Sequence, residues 1–361
     1  MLSLLLYIFI IFVSLIWLGL ISLDFGLYIY RKRGGEIYGK PKRFRPKTLV
    51  MLPCKGLDIT LDANILSLKT QSYDNYKLVA IVASNKDKAL EHIIKAGVDY
   101  IIADKDLVKC SGKVKNLLSA IRRFRGYDVY VVADSDVTFS TDWLESLVYA
   151  LNSNKALVST TYPYFNPLGG FWSMTKCVWN FVGEGMMESP NTRFAWGGSM
   201  AFKRELITER FLERMRFAVS DDIEVTRECR LQNGMIAYVK KRIAVVNISE
   251  SFGTFIEWAN RQTAFSIYGN RRLAYYGLVI YSANILLLLS GIILSIYVSY
   301  LYVFLLIPFI IGLLKSYRKL EERSLMIIPI YIMINFIYIT NILYGSRMRS
   351  VRWRGRVYRL Y

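Results

Sequence analysis

The chain has 361 residues, 53% of them hydrophobic, and 47 Lys/Arg against 28 Asp/Glu give it a formal net charge of +19. That length buries a full core and leaves room for a second region. One histidine (His92) and four scattered cysteines (Cys54, Cys110, Cys177, Cys229) exclude zinc spacing and a sequence-adjacent thiol–imidazole pair, so any chemistry must run on carboxylates, Lys/Arg and a metal ion.

Residues 2–22, LSLLLYIFIIFVSLIWLGLIS, carry no charge and are long enough to cross a bilayer as a helix. Positive charge follows this run instead of preceding it, which favours an uncleaved anchor (1–30) over a signal peptide. RKRGGEIYGKPKRFRPK (31–47), with eight Lys/Arg, is then a basic juxtamembrane linker. A water-soluble domain (48–254) comes next. TLVMLP (48–53) reads as a strand, 61–71 as a helix, YKLVAIVAS (76–84) as a strand, and KDKALEHIIKAG (86–97) as a helix closed by Gly97. VDYIIAD (98–104), KVKNLLSAIRRF (113–124), YDVYVVADSD (127–136) and TDWLESLVYALN (141–152) continue the alternation, with Thr141 a candidate N-cap. Near-continuous apolar strands alternating with helices predict an α/β fold with a mostly parallel sheet covered on both faces.

The far end is apolar again. An interfacial amphipathic segment (255–277) precedes a membrane region (278–345), in which 278–314 and 325–345 carry no charge. The tail, SRMRSVRWRGRVYRLY (346–361), holds six arginines. Basic charge beside apolar spans marks cytoplasmic flanks and anionic headgroups, so the partner it implies is a membrane and not nucleic acid. The domain and its reduced, packing cysteines are placed in the cytoplasm of a multi-pass cell-membrane protein. An anchor, a hairpin over 278–314 and one more span would nevertheless put the arginine-rich tail outside, against the positive-inside tendency.

The chemistry-bearing residues stand at element ends. Asp134 and Asp136 close a strand, where ligands bind in such sheets, and two such close carboxylates need a cation or water between them. An Asp-Ser-Asp turn that caps the next helix is the alternative. Gly197 and Gly198 in RFAWGGSMAFKREL (193–206) let backbone approach a ligand. Asp221 and Asp222 open a helix in VSDDIEVTRECRLQNG (219–234), where capping and the dipole explain one of them and leave the other spare. Ser220 and Asp221 are alternative caps. GGFWSMTKCVWNFVGEGMM (169–187) reads either as a core helix or as an interfacial helix with Trp172 and Trp179 at headgroup depth.

In order, these motifs resemble the membrane-bound family 2 glycosyltransferases, most closely their ceramide glucosyltransferase-like branch, over roughly 48–273 and the tail. LPCKGLD (52–58), with Lys55, is similar to the branch's Pro-x-Lys-Gly-x-Asp. Asp87 corresponds to the aspartate that holds base and ribose. SGKVKNLL (111–118) resembles the Gly-x-Asn-x-Lys-x-Asn-Asn stretch, with Lys115 and Asn116 in matching places. Asp134, Ser135 and Asp136 match the Asp-Ser-Asp motif, and Asp221 and Asp222 match the catalytic acid pair, whose second member is the base. Trp258, Arg261 and Gln262 stand where the family has Gln/Arg-x-x-Arg-Trp, and only Arg261 fits. VRWRGRVYRL (351–360) resembles the branch's closing Trp-Arg-x-Gly-Arg-x-Tyr.

The resemblance implies a GT-A-like domain that moves a sugar from a nucleotide-diphosphate sugar, a UDP-sugar first, to a membrane lipid hydroxyl with inversion. It implies Mg2+ or Mn2+ on Asp136 and Asp134, and nucleotide contacts from Asp87, Lys55, Lys115, Asn116 and Arg261. It makes Asp222 the base, with Asp221, Gly197, Gly198, Trp258 and Gln262 near the acceptor. A polyprenyl-phosphate sugar synthase, a degenerate sugar-nucleotide-binding module and a metal-dependent phosphohydrolase are the alternatives.

Overall fold

A computed structural model of the protein describes residues 2–33, 44–58, 60–152, 156–353 and 356–360. Most of the basic linker predicted at 31–47, and Arg354 of the tail, fall outside the described residues. The chain forms two units: a sheet unit (Glu36–Leu168 and Val182–Ile248) and a helical unit (Met1–Gly35, Gly169–Phe181 and Ser249–Tyr361).

After helix α1 (Leu2–Arg33) the sheet unit runs β1 (Thr48–Pro53), α2 (Leu61–Lys69), β2 (Tyr76–Val82), α3 (Ala89–Lys95), β3 (Asp99–Ile102), α4 (Gly112–Arg123) and β4 (Val129–Ala133). It continues with β5 (Thr138–Phe139), α5 (Trp143–Ala150), β6 (Ala156–Thr160) and β7 (Tyr164–Pro167). Helix α6 (Phe171–Met187) is shared between the units. Strand β8 (Ser199–Lys203), α7 (Glu209–Met215), α8 (Asp221–Leu231), β9 (Met235–Tyr238) and β10 (Ala244–Ile248) complete the sheet unit.

Strands are apolar throughout because side chains alternate and both faces are covered. Val50, Leu52, Val131 and Ala133 join Leu61, Ile65, Ile93, Trp143 and Leu147 of α2, α3 and α5 in one core. Leu49, Met51, Tyr130 and Val132 join Val114, Leu117, Phe211, Val225 and Cys229 of α4, α7 and α8 in the other. The seven strands lie in the order β3-β2-β1-β4-β8-β6-β9, and β8 alone is antiparallel to its neighbours. From β1 the chain builds outward to β2 and β3, then returns to place β4 on the other side. The carboxyl ends of β1 and β4 therefore flank the point where strand order reverses, the place where open α/β sheets hold ligands. A small sheet, β5-β10-β7, adds to this unit.

The predicted elements stand with trimmed ends. The helix expected over 86–97 starts at Ala89, because the Asp87 carboxylate accepts the Ala89 N–H at 3.0 Å and holds 86–88 as a turn. Gly97, at φ +64, ends it as expected. Thr141 does not cap α5: Asp142 holds the N-cap position without a side-chain cap bond and accepts the Ser140 hydroxyl at 2.6 Å. All four cysteines are buried thiols, and His92 pairs with Asp62 at 2.8 Å.

The helical unit adds α9 (Phe252–Gly269), α10 (Arg272–Tyr297), α11 (Ile307–Lys319), α12 (Ile327–Gly345) and a hairpin of β11 (Ser350–Trp353) and β12 (Arg356–Arg359). Among the described residues four segments are long and apolar enough to cross a membrane: Leu4–Leu23, Arg272–Tyr297, Tyr300–Lys319 and Ile327–Gly345. The long uncharged block 278–314 breaks after Tyr297, and Pro308 opens α11. Helices α10 and α12 run antiparallel: Gly277 faces Ile342, and Tyr281 stacks on Tyr338 at 4.4 Å. Gly345, ending α12, lies against Thr263 and Ala264 of α9, so α10 starts and α12 finishes at the α9 end. Residues 298–326 therefore leave from and return to the opposite end. Trp179 is buried and donates its indole N–H to Asn341 at 3.0 Å, so the core reading holds for it. Trp172, half-buried, stacks on Phe255 at 5.9 Å.

Candidate active site

Strand β4 delivers its carboxylates onto a loop pinned from three sides. The Asp134 N–H donates to the Gly198 carbonyl at 3.1 Å, and the Asp134 carbonyl accepts from Asn64 Nδ2 of α2 at 2.5 Å. The buried Ser135 hydroxyl donates to Asp58, which ties the β1–α2 loop to the β4 end across the reversal point. With the backbone fixed in this way, Asp136 is left exposed and Asp134 turns inward.

What Asp134 meets is a lysine. Lys113 Nζ stands 2.7 Å from Asp134 Oδ1 and 3.2 Å from Asp221 Oδ2, and donates to the Gly197 carbonyl at 2.9 Å. Burial works against its charge, but Asp134 and Asp221 beside it hold the ammonium above the usual lysine range. Lys115, the lysine expected in this motif, is not the one that meets the carboxylates. Lys115 is half-buried two positions along α4, about 200° around the helix from Lys113. Asn116 is buried and donates its amide to the Ile81 carbonyl at 3.0 Å and the Cys54 carbonyl at 3.4 Å, so it fastens the ends of β2 and β1. With Asn116 in the last place of Lys-x-Asn-Asn, the motif lysine falls on Lys113 and Lys115 takes the first Asn place, so spacing anchored on Asn116 points to Lys113.

The acid pair divides its tasks. Asp221 is buried and faces Lys113; burial pushes its carboxyl up to about 7, against the pull of the ammonium. Ser220 takes the N-cap position but makes no side-chain cap bond. Neither expected cap therefore acts as one. The Ser220 hydroxyl donates instead to Asp222 Oδ1, which also accepts the Ile223 N–H at 2.7 Å. Among the described residues Asp222 Oδ2 accepts no hydrogen bond, and burial raises the Asp222 carboxyl as well. One oxygen is locked and the other is left for a proton.

The two glycines are required by close approach. A Cβ on Gly197 would sit 3.0 Å from both Lys113 Nζ and Asp221 Oδ2, and one on Gly198 would fall 2.2 Å from the Trp196 ring. On the β1 side, Gly56 (φ +70) donates its N–H to Asp87 Oδ1 at 2.9 Å, so Asp87 joins the loops after β1 and β2. Lys55, half-buried, precedes that turn.

Trp258, Arg261 and Gln262 belong to α9 of the helical unit. Trp258 packs edge-on to Trp179 at 4.9 Å, with Lys176 Nζ 4.6 Å above its ring. Lys176 in turn pairs with Glu250 at 2.5 Å. The departure from the family pattern at 258 is thus filled by packing. Arg261 and Gln262 are half-buried.

For a metal, the described residues contain no group of three or more His, Cys, Asp or Glu arranged to hold an ion. Asp134 and Asp136 offer hard oxygen donors beside a sheet end. That set fits Mg2+ or Mn2+ shared with a diphosphate, since Mg2+ takes one or two carboxylates plus substrate phosphates in preference to an all-protein cage.

The fold and site define a GT-A-like glycosyltransferase domain joined to long apolar helices. The sequence profile of glycosyl transferase family 21 matches residues 11–361, and the chain belongs to that ceramide glucosyltransferase-like family. A glucosyl-dolichyl phosphate glucuronosyltransferase of Haloferax volcanii is 27% identical over 158 residues, 40% of this chain and 47% of that protein. The match thus spans about half the length of that relative. A mannosyltransferase from Pyrobaculum calidifontis, solved with GDP-Man and Mn2+, shares the fold at TM-score 0.52 and 14% identity, over 84% of this chain and 99% of that one.

Proposed function

We propose that the protein transfers a sugar from a nucleotide-diphosphate sugar, a UDP-sugar first, to the hydroxyl of a membrane lipid, with inversion to a β-linked glycolipid. The observation that carries this reading is the meeting of the Asp134–Asp136 strand end with the Asp221–Asp222 helix start through Lys113, in a chain with apolar helices on both sides of the domain. Asp222 Oδ2 takes the acceptor proton as the hydroxyl attacks the anomeric carbon, and attack opposite the leaving diphosphate inverts that centre. A raised carboxyl pKa suits a general base working near neutral pH. Asp136, with Asp134 nearby, would hold Mg2+ or Mn2+, which supplies charge stabilisation to the leaving diphosphate when bound. Lys55 and Asp87 border the nucleotide, and the family resemblance assigns Arg261 to the diphosphate. Asp221 sets the charge around Lys113, Gly197 and Gly198 give the room, and the family resemblance assigns Trp258 and Gln262 to the acceptor.

The domain faces the cytoplasm. The arginine-rich tail faces it too: within the helical unit α10 starts and α12 finishes at the α9 end, and basic flanks favour the cytoplasmic side. That arrangement favours crossing by α1, α10 and α12 and a non-crossing Tyr300–Lys319. It also removes the conflict between span count and basic tail.

The Haloferax relative, by its name, acts on a glucosyl-dolichyl phosphate. That favours a second reading of the acceptor, a polyprenyl-phosphate lipid. Membranes containing the protein, given a panel of radiolabelled nucleotide sugars, are expected to yield labelled lipid. Mild acid release of the label would assign a phosphate-linked sugar, and acid-stable label a glycoside on a hydroxyl. No lipid-extractable label from any donor would contradict the proposal.

A further inference from the structure

Two loops of the sheet unit meet near the acid pair and expose apolar side chains. The loop between β3 and α4 carries Val108, 76% exposed, more than any other large apolar residue described in that unit. The loop between α7 and α8 carries Phe217, 61% exposed. Ser111 donates its N–H to the Ala218 carbonyl at 2.9 Å, and Lys109 Nζ stands 5.3 Å from the centre of the Phe217 ring, so the loops form one rim. Leu107 and Ala218 hold the rim from beneath, in the core shared by α4, α7 and α8. Single exposed apolar residues are ordinary, but an adjoining pair on a tied-down rim marks a contact surface. Lys105, Lys109 and Arg216 are exposed around it, with one exposed acid, Glu213, three residues before Arg216. The acids of the β3–α4 loop are engaged by Arg122, at 3.1 Å from Asp104 and 3.0 Å from Asp106. The Arg122 hydrogen bond, with Arg216 adding to it, holds the Asp106 carboxyl below the usual range, so Arg216 belongs to the same rim.

We propose that this rim rests in the headgroup layer of the bilayer, with Val108 and Phe217 as its apolar contacts, and that it brings Asp222 to the acceptor lipid. The second part rests on the glycolipid reading; the membrane contact does not. Apolar side chains flanked by long cationic ones suit an interface, where the stems lie along the apolar boundary and the charges reach lipid phosphates. A lipid acceptor keeps its chains in the bilayer, because drawing them into water costs free energy in proportion to their apolar area. Its hydroxyl therefore meets Asp222 only where the surface beside that carboxylate lies against the bilayer. Phe217 is the exposed large apolar residue nearest to Asp222 along the chain. Ser111, which ties the rim together, also caps the helix that carries Lys113. The rim is thus joined rigidly to the acid pair. Leu66, 62% exposed, gives a contrast: it belongs to α2, which packs on the other face of the sheet.

The test uses the full-length protein in nanodiscs of phosphatidylcholine and phosphatidylglycerol, spin-labelled at Val108→Cys, Phe217→Cys or Leu66→Cys; the native cysteines are buried. Relaxation of each label by oxygen, which concentrates in the bilayer, is compared with relaxation by a water-soluble nickel chelate. Labels at 108 and 217 are expected to favour oxygen over nickel about threefold or more relative to the label at 66. Ratios at 108 and 217 equal to that at 66 overturn the proposal. Low access to both reagents overturns it too, because it marks burial against protein. If Phe217→Cys fails to fold by thermal unfolding, the label at 108 decides. The double variant Val108→Glu, Phe217→Glu puts charge on the apolar contacts. It is expected to lower labelled lipid from membranes about tenfold, with UDP or GDP binding in the presence of Mn2+ near that of the parent. A yield within twofold of the parent overturns the link to the acceptor. Embedded labels with no labelled lipid from any donor would uphold the membrane contact and contradict the transfer reading alone.

Discussion

Lys176 and Lys113 are both largely withdrawn from solvent, with side chains 9% and 11% exposed, and their surroundings differ in kind. Lys176 of the helical unit pairs with Glu250 at 2.5 Å and has the Trp258 ring 4.6 Å away. The ion pair is shielded by an aromatic face. Lys113 of the sheet unit answers two carboxylates at 2.7 and 3.2 Å, with Asp222 next to one of them and the exposed Asp136 two residues from the other. That region is over-supplied with negative charge on one edge. A buried pair packed under an aromatic ring is architecture, whereas a lysine facing several carboxylates beside solvent is prepared for a cationic or cation-carrying ligand.

The contrast breaks first at Asp136. Asp136→Ala, or excess chelator on the parent, is expected to lower transfer by about three orders of magnitude or more while thermal unfolding stays near normal. Full activity in chelator would remove the metal from the account. Lys176→Met should do the reverse: it leaves Glu250 buried without its partner, costing about 3–5 kcal/mol of stability, while turnover per folded molecule stays within a few-fold. Loss of turnover in a fully folded Lys176→Met would place that lysine in the chemistry.

Topology gives a third test. A cysteine introduced at Ser350 is expected to resist an impermeant reagent on intact cells and to react after lysis. Labelling from outside would restore four crossings and an external tail. The smallest effect concerns pH. Asp221, raised to about 7 when folded, binds a proton there that the unfolded chain has lost above its ordinary range near 4. Stability from this group is present at low pH and is lost as pH rises from about 4 to 7. Asp221→Asn should flatten that fall in a pH series of denaturant midpoints, and a parent slope unchanged by the substitution would show the carboxylate ionised throughout.

Much of this was legible in the sequence, because the pattern is local. Five apolar residues before Asp134 define a buried strand and so put the carboxylates at its end, and Asp221 and Asp222 announce a helix start. Lys113 is easily passed over because two lysines stand two apart, and only spacing anchored on Asn116 tells them apart; which one meets the carboxylates follows the phase of α4, fixed by where Ser111 caps it. The cap at α8 misled for a related reason. Ser220 has two acceptors to choose between, the helix and the Asp222 carboxylate, and tertiary geometry decides. Trp179 reads as an interfacial residue until Asn341, 162 positions away, receives its N–H. The apolar segment 300–319 has the composition of a span. Only the α10–α12 and α12–α9 contacts show that the chain around it starts and ends at the same level.

The central claim is that the carboxylate site moves a sugar from nucleotide to lipid with Asp222 as the base. The most direct measurement compares parent and Asp222→Asn in matched membranes, following label from the donor sugar into the lipid extract and, separately, the binding of the nucleoside diphosphate with Mn2+. Asn keeps the shape and the hydrogen bonds of Oδ1 but cannot accept the acceptor's proton. The account predicts nucleotide binding near that of the parent and transfer lower by about two to four orders of magnitude. Transfer by Asp222→Asn within a few-fold of the parent would contradict it.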